Sequence, residues 1–203
     1  MQLNYIDWED PTIESRKCYE VALKHNMPIV IMEPVKGGTL SNLPEKAAAI
    51  FKEEDPDASI SSWAIRYAAS LDNVITVLSG MSYLEQMEDN LKTFRNFKKV
   101  DEKDLETIQK VVEELYKNPR IPCTDCKYCV DGCPEEIPIP YVLSALNREI
   151  TFQNHESAQS NYDFDTNRKG KASQCIECGH CEDVCPQKIE IIQWMNEASE
   201  KYE

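Results

Sequence analysis

No stretch of this sequence approaches the ~20 consecutive apolar residues that a membrane-spanning helix needs, so no helix is expected to cross a bilayer. The basic stretch of a secretory leader is missing too. Met1-Gln2-Leu3-Asn4-Tyr5-Ile6-Asp7 carries no Lys or Arg and reads straight into a strand, so a cytoplasmic location is expected. Basic residues are scarce: 22 Lys and Arg face 36 Asp and Glu, a formal charge of −14. Phosphate binding needs a concentrated positive face, which excludes nucleic acid as a partner. Such acidity suits docking against a basic redox protein, and it is equally the ordinary solubility charge of a cytosolic protein, the simpler reading. Cysteine is nearly absent from the first 118 residues, where only Cys18 occurs.

What is present is a globular composition, 41% hydrophobic and 29% charged, on a chain long enough for one ordinary core and a small appended domain. Residues 1–118 alternate strand-like and helix-like segments. Gln2–Asp7, Pro28–Met32 and Asn73–Leu78 read as strands, the second nearly all apolar and the third rich in β-branched residues. Helices are expected over Thr12–Asn26, Ser59–Leu71 and Leu84–Phe94, and over Asp101–Lys117, where Asp101 is the cap and Leu105, Ile108, Val112 and Leu115 form the apolar stripe. Apolar strands separated by helices predict three βα units of a parallel sheet buried on both faces. Pro119 and Pro122 then interrupt the chain, placing a boundary near Asn118 and a second domain over 119–203.

That second region repeats itself. Cys123, Cys126, Cys129, Cys133 and Pro134 recur 52 positions later as Cys175, Cys178, Cys181, Cys185 and Pro186, and Ile137 and Ile139 recur as Ile189 and Ile191. Between the repeats, 140–150 reads as helix and 154–171 as a polar loop. Nine cysteines without a leader do not suggest disulfides, because cysteines at close regular spacing in a reducing cytosol are metal ligands or catalytic groups. Each repeat is C-x2-C-x2-C-x3-C-P, the ligation run of a 4Fe–4S cubane, and in two-cluster ferredoxins the fourth cysteine serves the opposite cluster. The spacing therefore assigns Cys123, Cys126, Cys129 and Cys185 to one cluster, and Cys175, Cys178, Cys181 and Cys133 to the other. Zinc is the competing metal, but it pairs two short knuckles across a longer spacer, a poor match to two complete repeats. The spacer from Cys133 to Cys175 resembles the helical two-cluster domains of succinate dehydrogenase-type iron–sulfur subunits.

Other candidates have plainer readings. His180 could tune a cluster, but a solvated loop histidine is the simpler reading. His25 ends a helix, where the dipole favours a cation. Cys18 is expected in the core, and Asp7, Glu9 and Asp10 in a solvated loop.

The runs Gln2-Leu3-Asn4-Tyr5-Ile6-Asp7-Trp8 and Met27 to Gly38, then Ser79-Gly80-Met81-Ser82 followed by Glu85-Gln86 and Asn90, resemble an aldo-keto reductase. The resemblance implies an α/β chain: the last three βα units of a (β/α)8 TIM barrel with its closing helix, followed by the mainly helical ferredoxin-like extension that a subgroup of the family carries. In such barrels a phosphate sits at the loops after strands seven and eight, where Gly37-Gly38 and Ser79-Gly80 would let backbone approach it. The resemblance implies NADP or NAD as cofactor beside the two 4Fe–4S clusters. Gln2 would bind the nicotinamide carboxamide and Met32 would lie where many members stack an aromatic ring. Pro34, Val35 and Gly37 fall in the strand-seven loop. Gly80, Ser82, Gln86 and Asn90 would line the adenosine and phosphate end. Ser82 stands where an arginine commonly holds the 2′-phosphate, so the choice between NADPH and NADH is open.

The family's catalytic Asp, Tyr, Lys and His lie on earlier strands that these residues do not include, and Tyr5 and Lys36 lie on the wrong strands to replace them. The chain is therefore expected to be part of a longer iron–sulfur reductase acting on a small carbonyl substrate, inactive alone, with a redox protein as a further partner. The alternative is an electron-transfer or binding module in which the half-barrel is only a docking scaffold.

Overall fold

The computed structural model describes all of residues 1–203 except Thr12 and Asn96, and the described chain divides into two compact units, Met1–Lys117 and Asn118–Glu203. In the first unit, helix α1 (Ser15–Lys24) precedes strand β1 (Ile29–Ile31), followed by a 3-10 turn at Thr39–Ser41 and helices α2 (Glu45–Glu54) and α3 (Ile60–Ala69). Strand β2 (Val74–Val77), α4 (Leu84–Arg95) and α5 (Glu102–Leu115) complete it. The start of the first expected helix, Thr12, lies outside the described residues.

β1 and β2 pair in parallel, Ile29 opposite Val74 and Ile31 opposite Val77. The expected first strand shrinks to one parallel bridge, Gln2 to Met32. Its end has a local cause: the Asn4 side-chain carbonyl accepts from the backbone N–H groups of Ile6 (3.0 Å) and Asp7 (2.9 Å), so the chain turns where it was expected to extend. The sheet is also covered on one side only. Ile29 and Ile31 are buried, while Val30 and Ile75 are exposed, as alternation along a pleat dictates once only one face meets helices.

Helix α3 carries the core of this unit. Ser59 caps it by accepting from the Ser62 N–H at 3.0 Å, and Trp63, Ala64, Ile65, Tyr67 and Ala68 are buried. Trp63 stacks on Phe51 of α2 with centroids 4.5 Å apart. Asp101 caps α5 as expected, through Asp104 N–H at 2.9 Å. The inward stripe of α5 differs from expectation: Asp104, Thr107, Ile108, Val111 and Leu115 are buried and Leu105 is exposed, because the buried Arg66 draws the Asp104 carboxylate inward. In α1, Ser15 and Tyr19 face in, and Cys18 is exposed rather than in the core.

The second unit is mainly helical: α6 (Ile139–Phe152), α7 (His155–Thr166), a 3-10 turn at Ala172–Gln174, the short α8 (His180–Asp183) and α9 (Ile191–Tyr202). The expected polar loop over 154–171 is largely α7, capped by Asn154 accepting from Ser157 N–H at 3.0 Å. Only Ala158, Tyr162 and Thr166 are buried in α7, a stripe one residue wide and too sparse to read as amphipathic. Leu143, Leu146, Ile137, Ile139, Ile191 and Met195 fill this core. No described helix is long and apolar enough to cross a membrane.

Candidate functional site

The cysteine repeat is a repeat of backbone as well as of residues. Asp125 and Lys127 in the first loop have positive φ, as do Glu177 and Gly179 at the matching places in the second. Glu136 and Lys188, three residues past the fourth cysteine of each run, also match, at φ 50° and 52°. Each donates its N–H to that cysteine's carbonyl, at 3.1 and 3.2 Å. Non-glycine residues in this region cost about 1–3 kcal/mol each, so their recurrence marks loops wound for a purpose.

These loops bring the thiols together in two sets of four. One cavity is lined by Cys123, Cys126, Cys129 and Cys185. A second is lined by Cys175, Cys178, Cys181 and Cys133. Each set takes three cysteines from one repeat and the fourth from the other. Apolar side chains back both: Leu143, Ile189 and Ile191 at the first, Ile137, Ile139 and Met195 at the second. Burial pushes the Cys129 and Cys181 thiols up to about 11 and raises Cys123 as well, so by themselves these groups stay protonated at neutral pH. A bound metal reverses that logic, since a coordinating thiol is deprotonated outright. Among the described residues no three His, Cys, Asp or Glu side chains close around a single ion. Four thiols around each cavity, three of them from one C-x2-C-x2-C run, suit a multi-iron group better than the paired knuckles of zinc. His180 is exposed, as a solvated histidine would be, and it also lines the second cavity.

In the first unit a cleft opens between the segment after β1 and the start of α4. Of the expected nucleotide residues, Met32, Pro34, Val35, Gly37, Gly80, Gln86 and Asn90 line it. Gln2 and Ser82 do not. Gln2 donates its amide to Asp7 Oδ2 at 2.8 Å, and Ser82 donates its N–H to Gln86 Oε1 at 2.7 Å. Asn90 donates to Ser79 Oγ at 3.1 Å. The loop at the cleft is left-handed over three successive residues, Lys36, Gly37 and Gly38, with φ 50°, 61° and 86°, which glycine allows without strain at the last two. Glu33, Glu85 and Asp89 also line the cleft, with no Lys or Arg among its lining residues.

Lys36 is held in place by Asp7. That carboxylate is not in a solvated loop. It is fully buried, paired with Lys36 and accepting from Gln2 and from Asn4 (2.8 Å). The sequence offered one signal for this, a Gln, an Asn and an Asp within six residues of an apolar strand. Glu9, by contrast, is exposed and pairs with Arg16. Tyr5 is buried, burial raises its pKa, and its hydroxyl has no partner among the described residues.

Comparison with known proteins gives two domain matches. The model of the aldo/keto reductase family matches residues 1–113, and that of a 4Fe-4S dicluster domain matches residues 122–190. An uncharacterized iron–sulfur protein of Methanococcus maripaludis is 29% identical over 110 residues, covering 49% of this chain and 22% of the relative. Acetyl-CoA decarbonylase/synthase complex subunit alpha 1 of Methanosarcina barkeri is 30% identical over 89 residues, 44% of this chain and 9% of the relative. Its counterpart from Methanosarcina acetivorans is 30% identical over 79 residues, 39% and 8%. The chain thus spans less than a quarter of the length of each of these relatives. No solved structure matches.

Proposed function

This chain belongs to the aldo/keto reductase family, and from that premise we propose that it is the cofactor-binding and electron-relay portion of an iron–sulfur oxidoreductase. The observation that carries the reading is the convergence of eight cysteines into two crossed sets of four. Cys123, Cys126, Cys129 and Cys185 would hold one 4Fe–4S cluster, and Cys133, Cys175, Cys178 and Cys181 the other. When bound, such clusters supply one-electron couples. The chain's own residues enclose them: the isoleucines exclude water, and the left-handed loops aim the thiols inward.

The cleft would take a nicotinamide nucleotide. Gly37, Gly38 and Gly80 leave room for backbone to approach it, and Met32 offers a polarizable wall. Hydride transfer to a carbonyl needs an acid to protonate the oxygen. The family's Asp, Tyr, Lys and His have no counterpart in these residues, so carbonyl–alcohol interconversion belongs to the longer protein, whose first strands would complete a (β/α)8 barrel. A relative that is a subunit of a complex supports a protein as electron partner. The second reading, an electron-transfer module on a non-catalytic scaffold, rests on the same thiols together with the missing catalytic set.

The test is iron and acid-labile sulfide on protein purified without oxygen, where two cubanes require about eight of each. Cys185→Ser should remove the same cluster as Cys126→Ser. About two zincs and no sulfide would sink the proposal.

A further inference from the structure

The two thiol sets are nearly equal in shelter. Each has a buried central cysteine, Cys129 or Cys181, both 8% exposed, one exposed cysteine, Cys126 or Cys178, and an isoleucine wall; the crossing cysteines differ, Cys185 being buried and Cys133 half-buried. They are unequal in charge, and the crossing of the fourth cysteine is the cause. Cys185 brings Pro186, Gln187 and Lys188 to the first set, and Gln187 lines that cavity beside Lys127. Cys133 brings Pro134, Glu135 and Glu136 to the second, and Glu135 lines that cavity. Counting each three-cysteine loop with the tail that crosses to it, the first set holds Asp125, Lys127 and Lys188, a net +1. The second holds Glu177, Glu135 and Glu136, a net −3. Lys127 lies 3.6 Å from Asp125, so that pair partly cancels, and the Lys188 ammonium donates to the Asp183 carbonyl at 3.4 Å, in the segment that leads into Cys185.

Without the crossing the same residues would give −2 and 0, reversing the order. Potential in such sites follows net charge, hydrogen bonding to sulfur and solvent exposure, and here exposure matches at three of the four cysteine positions. Adding an electron is favoured beside positive charge and opposed beside negative charge.

We propose that Lys127 and Lys188 make the Cys123–Cys126–Cys129–Cys185 site the electron-accepting end of this module, and that Glu135, Glu136 and Glu177 make the other site the weaker acceptor. This rests on the reading that both sites hold 4Fe–4S clusters. In the redox step one electron leaves a reduced cluster at the second site, which is oxidised, and enters an oxidised cluster at the first, which is reduced. An external one-electron reductant supplies it.

The test is an anaerobic dithionite titration of the full chain followed by electron paramagnetic resonance, on samples with about eight irons per chain. Two one-electron waves are expected, separated by at least a tenfold difference in electron affinity, 59 mV. Lys127→Gln should lower the upper wave and Glu135→Gln should raise the lower one, each leaving its neighbour closer to its starting value. Lys188→Gln and Glu136→Gln are a second pair should either variant lose iron. Coincident waves, or Lys127→Gln acting on the lower wave, would overturn the inference while leaving the clusters in place. Absence of iron and sulfide from the wild-type chain would overturn the cluster reading and this inference with it.

Discussion

The imidazole of His180 lies against Gly132, so that a methyl added at Gly132 would fall 1.9 Å from Nε2. Gly132 precedes Cys133 and His180 precedes Cys181, so this contact joins the crossing cysteine to the loop it completes.

Gly132→Ala must expel the ring. Overpacking of this kind costs about 1–3 kcal/mol. The expected outcome is loss of up to half the iron and a lower midpoint in thermal unfolding, with His180→Ala restoring both when combined. Full iron content and unchanged stability in Gly132→Ala alone would show that the contact is not needed.

The Asp7–Lys36 pair ties the first turn to the cleft loop. Breaking a buried pair costs about 3–5 kcal/mol, and the lower end applies because Lys36 is partly exposed. Lys36→Met is therefore expected to shift the urea midpoint of the first unit, read by fluorescence of Trp8 and Trp63. Asp7→Asn combined with Lys36→Met should cost less than the two single changes summed, since both remove one interaction. Strict additivity would show that the pair is not coupled.

The N–H of Asp104 holds the Asp101 carboxyl below the usual aspartate range, helped by Lys98. A lowered folded pKa means stability that is present above the ordinary value near ~3.9 and is lost as pH falls through the folded one. Amide exchange in the first turn of α5 should therefore quicken over that acid window in the wild type. Asp101→Asn, which still caps but does not titrate, should lack that component. Identical acid profiles for the two proteins would contradict this.

The cleft lined by Glu33, Glu85 and Asp89 is expected to bind NADH more tightly than NADPH, because a 2′-phosphate adds charge where no cation lines the wall. Titration of each nucleotide against the full chain by fluorescence checks this, and Glu85→Gln should narrow the difference. Tighter binding of NADPH would refute the charge argument. Binding of neither would refute the nucleotide reading.

Some of this was legible in the residues. The pattern C-x2-C-x2-C-x3-C-P occurs twice, and ligand spacing in a tight loop is a local property, so an iron–sulfur domain and eight candidate thiols were legible before any fold was known. The Asp101 cap was equally local. Other features were not. Gln2–Asp7 carries a strand's composition, yet Asn4 diverts it with two hydrogen bonds. Helix α7 buries three residues and looks like loop until Tyr162 is seen donating to Glu203 Oε1 at 2.6 Å and accepting from Ala172 N–H at 2.9 Å. Cys18 faces outward because α1 turns Ser15 and Tyr19, not its most apolar side chains, toward the core.

The sequence by itself determined which residues could ligate, because spacing of a few residues is set by covalent geometry. The tertiary structure decided that Glu135 lines one thiol set and Gln187 the other, and it decided that Asp7 is buried. Both depend on segments separated by tens of residues meeting in space: Cys133 with the loop of Cys175, and Asp7 with Lys36. Charge acts through distance, and distance between remote segments is a property of the folded chain alone.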